Sequence, residues 1–368
     1  MSDDRSAGAD HTVRLTVHPG LGKTATTSLQ RVLRGHPDLW FGGVGSHTPD
    51  HPFRTAFEAL LREPVSRRTW RARTPVDVRI DRLAAAIAEG LSGSPTGLGV
   101  LSDEAILGHV GDDDGWRGPY VAGFGGVLGW RVAEVRVARL AGVLARVSER
   151  VADAGVRLEV RPLLTIRRQG TLLASTWAWN HEYFRRAGIR DHKDLLTAVT
   201  QDRFPRLRFS RVVRLMEDHG LGPVTVLPLE ALAERPQAFW TEVSRLVGTE
   251  VRGAAGPASN QRREDAHRWR TRTVANRPVA RLGTSALAER LLAPTPAAFR
   301  ERIAHTLRAR SADGAALVVP ETLLERIDAT YADDLAALRP HCPFPLEDLG
   351  YGSTGGPPED RGTAGDVP

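Results

Sequence analysis

Short runs of apolar residues alternate along the chain with longer stretches in which apolar positions recur every three or four residues. The short runs predict strands, and the longer stretches predict amphipathic helices. This alternation is typical of an α/β fold with a mainly parallel central sheet flanked by helices. The predicted strands are 13–17, 97–101, 156–166 and 224–227, and the predicted helices are 24–33, 130–154, 171–187, two within 228–248, and 320–339. Residues 251–318 fit neither pattern.

The chain has 368 residues, 41% of them hydrophobic, which is enough for a sizeable core. A chain of this size buries roughly three quarters of its unfolded surface and needs no disulfide or metal to be stable. Both ends lack apolar residues to bury, and this predicts disordered tails at 1–11 and 352–368. The region between them, 12–351, is predicted to form one domain.

The chain contains a single cysteine, Cys342. A disulfide framework or a cysteine-based zinc site within one chain is therefore excluded, which favours a reducing compartment. The first residues form no apolar stretch like that of a signal peptide, and no window approaches the roughly 20 apolar residues that span a bilayer. We expect a cytoplasmic protein without stable membrane insertion.

The formal net charge of +6 favours anionic ligands. Only two of the 50 basic residues are lysines, Lys23 and Lys193, and the scattered arginines are typical of a solvated surface. Lysine is a compact point charge on a flexible stem, whereas arginine is a wide planar fork. A lysine retained within a glycine-containing loop therefore indicates a site that directs one ammonium group to one phosphate oxygen.

That loop lies in the segment VRLTVHPGLGKTATTSLQ, residues 13–30. A strand, a glycine-containing turn, a lysine and hydroxyl residues opening a helix together predict a phosphate cradle. In such a cradle, backbone N–H groups and the helix dipole face the anion. The candidate phosphate-binding residues are Gly20, Gly22, Lys23, Thr24, Ala25, Thr26 and Thr27.

The loop differs from the P-loop of nucleoside triphosphatases. That motif requires a glycine where this chain has Val17. A P-loop kinase or NTPase that uses Lys23, Thr24 and Asp103 with ATP and magnesium remains the alternative. No residue pattern here requires a metal.

The segment resembles the 5′-phosphosulfate loop of the sulfotransferases that use 3′-phosphoadenosine 5′-phosphosulfate (PAPS), in particular a bacterial group whose loop reads H-x-G-x-x-K-T-G-T-T-S-L-Q. His18, Gly20, Lys23 and Thr24 match, as does the run from Thr26 to Gln30, whereas Ala25 replaces a glycine. The resemblance implies a nucleotide-binding fold of the P-loop type, PAPS as the sulfuryl donor, and 3′-phosphoadenosine 5′-phosphate (PAP) as its product.

A second segment, LLTIRRQGTLLASTWAWN at 163–180, resembles the 3′-phosphate segment of the same family. There an arginine ends a strand, and a serine follows eight residues later on the next helix, the spacing of Arg167 and Ser175. A guanidinium at a strand end binds a phosphate through two hydrogen bonds, and a hydroxyl adds another. Arg168 is expected to point the other way. Trp177, on the same helix, is a candidate for contact with the adenine or the acceptor, or for the core.

The segment GVLSDE, residues 99–104, resembles a strand end of related bacterial sulfotransferases. The resemblance implies that Glu104 is the general base for the acceptor and that Lys23 neutralises charge on the leaving phosphate. Two alternatives stay open: Asp103 and Glu104 hold magnesium, or one of them begins a helix. The histidines considered as alternative bases are His18, His109 and His181.

Two weaker resemblances involve Glu230, which is expected to fix local structure, and the segment 344–352. The acceptor is expected to be a small molecule, a glycan or a glycolipid, and its identity and the oligomeric state stay open. A rival class is a basic nucleic-acid-binding protein that uses residues 262–277. Because the basic residues are scattered along the sequence, we expect that the protein does not bind nucleic acid.

Overall fold

The computed structural model describes residues 11–24, 26–43, 76–104, 106–107, 127–179, 181–186, 188–253, 268–270 and 316–352. The predicted tails fall almost wholly outside these ranges, as do Ala25 and His109. The strands are β1 His11–His18, β2 Leu39–Gly43, β3 Leu98–Ser102, β4 Val156–Ile166, β5 Thr225–Pro228, β6 Arg268–Arg270 and β7 Ala316–Val318.

The helices include all those predicted and three that were not predicted. They are α1 Thr26–Arg34, α2 Val76–Ser92, α3 Val127–Ala152, α4 Gln169–Trp179, α5 His181–Arg186, α6 His192–Thr200, α7 Phe209–Asp218, α8 Leu229–Glu234, α9 Pro236–Val247, α10 Glu321–Thr330 and α11 Ala332–Leu338. The predicted helix 171–187 corresponds to α4 and α5, and the predicted helix 320–339 corresponds to α10 and α11.

Five parallel strands form the central sheet in the order β2-β3-β1-β4-β5. The predicted α/β class with a parallel sheet flanked by helices is therefore confirmed. β6 and β7 form a separate antiparallel pair. They lie within the 251–318 region that the sequence pattern leaves unassigned.

Helices cover both faces of the sheet. Successive residues of a strand point to opposite faces. Leu15 faces α2, because a Cβ added to its neighbour Gly99 would approach both Leu15 and Leu91. The next residue, Thr16, donates a hydrogen bond to the carbonyl of Leu246 on α9, at 3.3 Å. Burial on both faces explains why β3 is apolar almost throughout. β1 is buried from Leu15 to His18 as well, although Thr16 and His18 are polar.

The sequence pattern did not predict β2, β6, β7, α2, α6 and α7. β2 contains Gly42 and Gly43, which are depleted in strands, and it lies at the edge of the sheet. In α2 the buried residues Leu83, Ala84, Ile87 and Leu91 do have helical spacing. Among the described residues, no helix is long and apolar enough to cross a membrane.

Candidate functional site

The strand order places a crevice at the carboxyl ends of β1 and β4. These two strands are neighbours, yet the chain leaves β1 toward β2 on one side and leaves β4 toward β5 on the other. In open α/β sheets such a reversal opens a gap between the two connecting segments, and ligands bind there. The connection after β1 is the predicted phosphate loop, and the connection after β4 begins with Arg167.

The loop between β1 and α1 has an unusual backbone at its lysine. Lys23 has a φ of 73°, in the left-handed region that residues other than glycine seldom adopt. Such residues concentrate at functional sites, where surrounding contacts hold them in place. Gly20 is needed for a different reason, because a Cβ there would overlap the side chain of Thr26 in the first turn of α1.

The hydroxyl residues of the loop differ in exposure. Thr24 and Thr26 are buried, and both hydroxyls donate to the carbonyl of Leu21, at 2.6 and 3.4 Å. Gly22 and Thr27 are half-buried, as is Lys23. Thr24 and Thr26 therefore shape the loop from beneath, whereas Gly22, Lys23 and Thr27 retain surface for a ligand.

His18 is fully buried beneath the loop. Its Nδ1 is 2.9 Å from the hydroxyl of Ser102 at the end of β3, and its Nε2 is 3.0 Å from the hydroxyl of Thr165 near the end of β4. Burial lowers the pKa of His18 from 6.5 to about 4, although the nearby Glu104 carboxylate raises it. His18 is thus neutral near pH 7 and enclosed by its partners, which removes it from the candidate general bases.

Two further contacts extend the cluster around His18. Thr165 lies 2.9 Å from the hydroxyl of Thr24, and the amide of Gln30 donates to Ser102 at 3.0 Å. β4 reaches Thr165 because it pairs with β1 only up to Pro162 and then continues alongside β5. The end of β4 therefore lies against the loop.

Asp103 and Glu104 follow β3 but differ in burial. Asp103 is 2% exposed, and its backbone N–H donates to the carbonyl of His18 at 3.1 Å. Glu104 is half-buried and lies close enough to His18 to raise its pKa. Of the two carboxylates, Glu104 has surface through which an acceptor can approach.

Arg167 and Arg168 follow β4 and have different surroundings. Arg168 forms an ion pair with Asp328 of α10 at 2.9 Å, and its backbone N–H donates to Glu230 at 3.0 Å. Arg167 is half-buried, and desolvation lowers its pKa, whereas Glu230 and Tyr351 raise it. These contacts account for the side chain of Arg168, and the expectation that Arg167 points toward a ligand stays a prediction.

Glu230 connects the two segments of weaker resemblance. Its carboxylate accepts a hydrogen bond from the hydroxyl of Tyr351 at 2.7 Å and one from the backbone of Arg168. Burial raises the pKa of Glu230, and these hydrogen bonds lower it. The structural role expected for Glu230 is confirmed.

Helix α4 exposes one narrow strip beyond Arg167. Between Thr171 and Ala178 every residue is buried except Thr171 and Ser175, which are four positions apart and therefore lie on the same face. Trp177 is 1% exposed, in edge-to-face contact with His192 and near His181, so it belongs to the core. The strip that carries Ser175 is where α4 can meet a ligand.

Apart from Ala25, which lies outside the described residues, the predicted site residues thus lie on the segments that follow the carboxyl ends of β1, β3 and β4. The sequence analysis included Ser102 only as part of the segment GVLSDE and missed Thr165 and Asp328, and these three residues contact the site segments. Thr165 is a polar residue within the otherwise apolar strand end LLTI, and that interruption was the available signal. Comparisons with protein-family models, with curated proteins and with solved structures find no match to this chain.

Proposed function

We propose that this protein is a PAPS-dependent sulfotransferase that transfers a sulfuryl group to a hydroxyl or amine of a small-molecule, glycan or glycolipid acceptor. The observation that carries the proposal is the convergence of two anion-binding candidates, the loop of Lys23 and the pair Arg167 and Ser175, at one crevice of the sheet. A nucleotide that carries phosphate groups at both its 5′ and 3′ positions needs two such sites.

The residues present fit this donor. The loop supplies backbone N–H groups at the start of α1 together with the ammonium of Lys23. Arg167 supplies a guanidinium at the end of β4, and Ser175 supplies a hydroxyl on the exposed strip of α4. PAPS, when bound, supplies the sulfuryl group and leaves as PAP.

Glu104, Lys23 and the loop would each have a distinct role in sulfuryl transfer. Glu104 takes the proton from the acceptor as its oxygen or nitrogen bonds to sulfur, and the sulfur–oxygen bond to the leaving phosphate breaks in line. Lys23 and the loop N–H groups neutralise the charge that develops on the leaving oxygen. The half-buried position of Glu104 beside the loop supports this assignment. The single cysteine supports a cytoplasmic location.

The deciding experiment compares ligands for their effect on thermal unfolding. PAP at about 100 times its dissociation constant should stabilise the fold by about 2.7 kcal/mol. AMP, which lacks the 3′-phosphate, and ATP with magnesium should stabilise it much less at the same concentration. Equal shifts with PAP and AMP would exclude a 3′-phosphate site, and turnover of ATP with magnesium would favour a kinase or NTPase.

Transfer itself is tested with radiolabelled PAPS and a panel of acceptors that includes sugars, glycolipids and phenols. The expected result is label on at least one acceptor class, with PAP formed in equal amount. Binding of PAP without transfer to any class would leave a nucleotide-binding protein and would contradict the proposed activity.

A further inference from the structure

The hydrogen positions in the buried cluster beneath the loop follow from a simple count. The hydroxyl of Thr24 has one hydrogen, which it donates to the carbonyl of Leu21. Thr24 must therefore accept at its contact with Thr165. The one hydrogen of Thr165 is thereby used, so Thr165 accepts from His18, and the Nε2 of His18 carries a hydrogen.

The other side of the imidazole is then fixed as well. A neutral imidazole with a hydrogen on Nε2 accepts at Nδ1, so the hydroxyl of Ser102 donates to it. Ser102 in turn accepts from the amide of Gln30. The hydrogen bonds therefore form one continuous chain in which every donor points the same way. This hydrogen-bonded chain runs from Gln30 through Ser102, His18, Thr165 and Thr24 to the carbonyl of Leu21.

We infer that His18 is a positioning residue: as the neutral Nε2–H tautomer it joins five hydrogen bonds into one directed chain that fixes the conformation of the phosphate loop. The inference deepens the proposed function and depends on it for the identity of the ligand. Hydrogen bonds aligned in one direction polarise one another, so the chain is stronger than its members taken singly.

The last acceptor explains what the chain does for the site. Leu21 lies two residues before Lys23, and its carbonyl is held inward by the hydroxyls of Thr24 and Thr26. A carbonyl oxygen turned toward the ligand would repel a phosphate, whereas loop N–H groups attract it. Holding this carbonyl beneath the loop keeps its negative end away from the side where the anion binds.

Protonation of His18 would break this arrangement. The imidazolium donates at both nitrogens, so Nδ1 no longer accepts from Ser102. The hydroxyl of Ser102 would have to reverse, and the direction of the chain would be lost between β3 and β1. The near-complete burial of His18, Ser102 and Thr165 protects the neutral form near pH 7.

The test compares two buried threonines on neighbouring strands. Thr165→Val removes a hydroxyl from the chain, and Thr16→Val removes an equally buried hydroxyl that bonds instead to Leu246 on α9. Hydrogen exchange at the amides of Gly22 and Lys23 should become about tenfold faster in Thr165→Val, which corresponds to about 1.4 kcal/mol. The exchange rate should be unchanged in Thr16→Val. Thr165→Ser, which keeps the hydroxyl, should exchange as slowly as the wild-type protein.

Binding of PAP provides the second readout, with about tenfold weaker affinity expected for Thr165→Val alone. Equal effects of the two valine variants on exchange would show that the cluster contributes to the loop no more than any other buried hydrogen bond, and would overturn the inference. If the wild-type protein does not bind PAP, the proposed function fails. The exchange comparison still decides whether the hydrogen-bonded chain fixes the conformation of the loop.

The tautomer is tested without any ligand. Nitrogen-detected NMR of the histidine rings in the wild-type protein should find the hydrogen of His18 on Nε2. A hydrogen on Nδ1 would reverse the deduced direction and overturn the assignment. Ser102→Ala should shift the Nδ1 resonance of His18, because it removes the donor to that nitrogen, whereas Thr16→Val should leave it unchanged.

Discussion

The guanidinium of Arg168 lies 2.9 Å from the carboxylate of Asp328, 160 positions later in the chain. Asp328 also accepts from the backbone N–H of Gly170 at 2.7 Å. A Cβ on Gly170 would be 2.6 Å from the carbonyl of Leu324, so α10 lies directly against the first turn of α4. Arg168 therefore helps to hold α10 against α4, and Arg167 stays the candidate for binding a phosphate.

This relationship predicts that replacing Arg167 affects nucleotide binding, whereas replacing Arg168 affects stability. Arg167→Ala should weaken PAP binding by about 1.5–3 kcal/mol, the usual contribution of a hydrogen bond to a charged group, with little effect on AMP. Arg168→Ala should instead lower the free energy of unfolding by about 1.5–3 kcal/mol, because the buried Asp328 loses its counter-charge. Calorimetry with both nucleotides and denaturant unfolding measure the two effects. Equal loss of AMP and PAP binding in Arg167→Ala would make Arg167 a structural residue.

Glu104→Gln should greatly reduce transfer while PAP affinity stays nearly unchanged. The amide keeps the shape of the side chain but cannot take the acceptor's proton, and a general base contributes about 10²–10⁴-fold to rate. Single-turnover sulfation with radiolabelled PAPS measures the loss once an acceptor is known. Asp103→Asn is the matched control: Asp103 is buried, so its variant should keep most of its turnover. Near wild-type turnover in Glu104→Gln would move the base elsewhere.

The stability of the protein should depend on pH through His18. Between pH 6.5 and about 4 the unfolded chain binds a proton at this residue that the folded chain does not. The contribution of His18 to the free energy of unfolding is thus fully present above pH 6.5 and is lost as the pH falls toward 4. We expect the free energy of unfolding to decrease by about 3 kcal/mol across this range because of His18.

This pH dependence is measured as the difference between the wild-type protein and His18→Gln in denaturant unfolding from pH 7 to pH 4. His219→Gln, at an exposed position, serves as the control for loss of a histidine. An NMR titration of His18 in the wild-type protein gives its pKa directly, even if the variant folds poorly. A titration midpoint near 6.5 would contradict the prediction.

Gly20→Ala should disrupt the loop through steric overlap. The new methyl group would collide with the side chain of Thr26 and press on the ring of His18, and overpacking of this kind costs typically about 1–3 kcal/mol. PAP affinity should fall with stability, because α1 must shift away from the loop. Gly142→Ala, in the middle of α3, meets only ordinary contact with Ile80 and should be neutral or stabilising. Thermal unfolding and PAP titration of the two variants compare them, and unchanged PAP affinity in Gly20→Ala would show that the loop accommodates the methyl.

Local sequence patterns were sufficient to predict the α/β class, the approximate bounds of four central strands, and the segments that carry the candidate site. These features depend on local patterns: apolar runs favour strands, and a glycine-containing turn before hydroxyl residues favours a helix start. The edge strand β2 was beyond this reading because Gly42 and Gly43 weaken the strand pattern, and pairing with β3 compensates for them.

Which polar residues contact one another depends on the packing of distant segments. Thr165 contacts His18 across 147 positions, and Asp328 reaches Arg168 across 160, because the strand order brings the ends of β1 and β4 together and α10 packs on α4. No local pattern encodes such pairs, since a buried polar group takes whichever partner the packing of distant segments supplies. Local sequence patterns therefore selected the candidate phosphate-binding residues, and the fold determined which residues hold them in position.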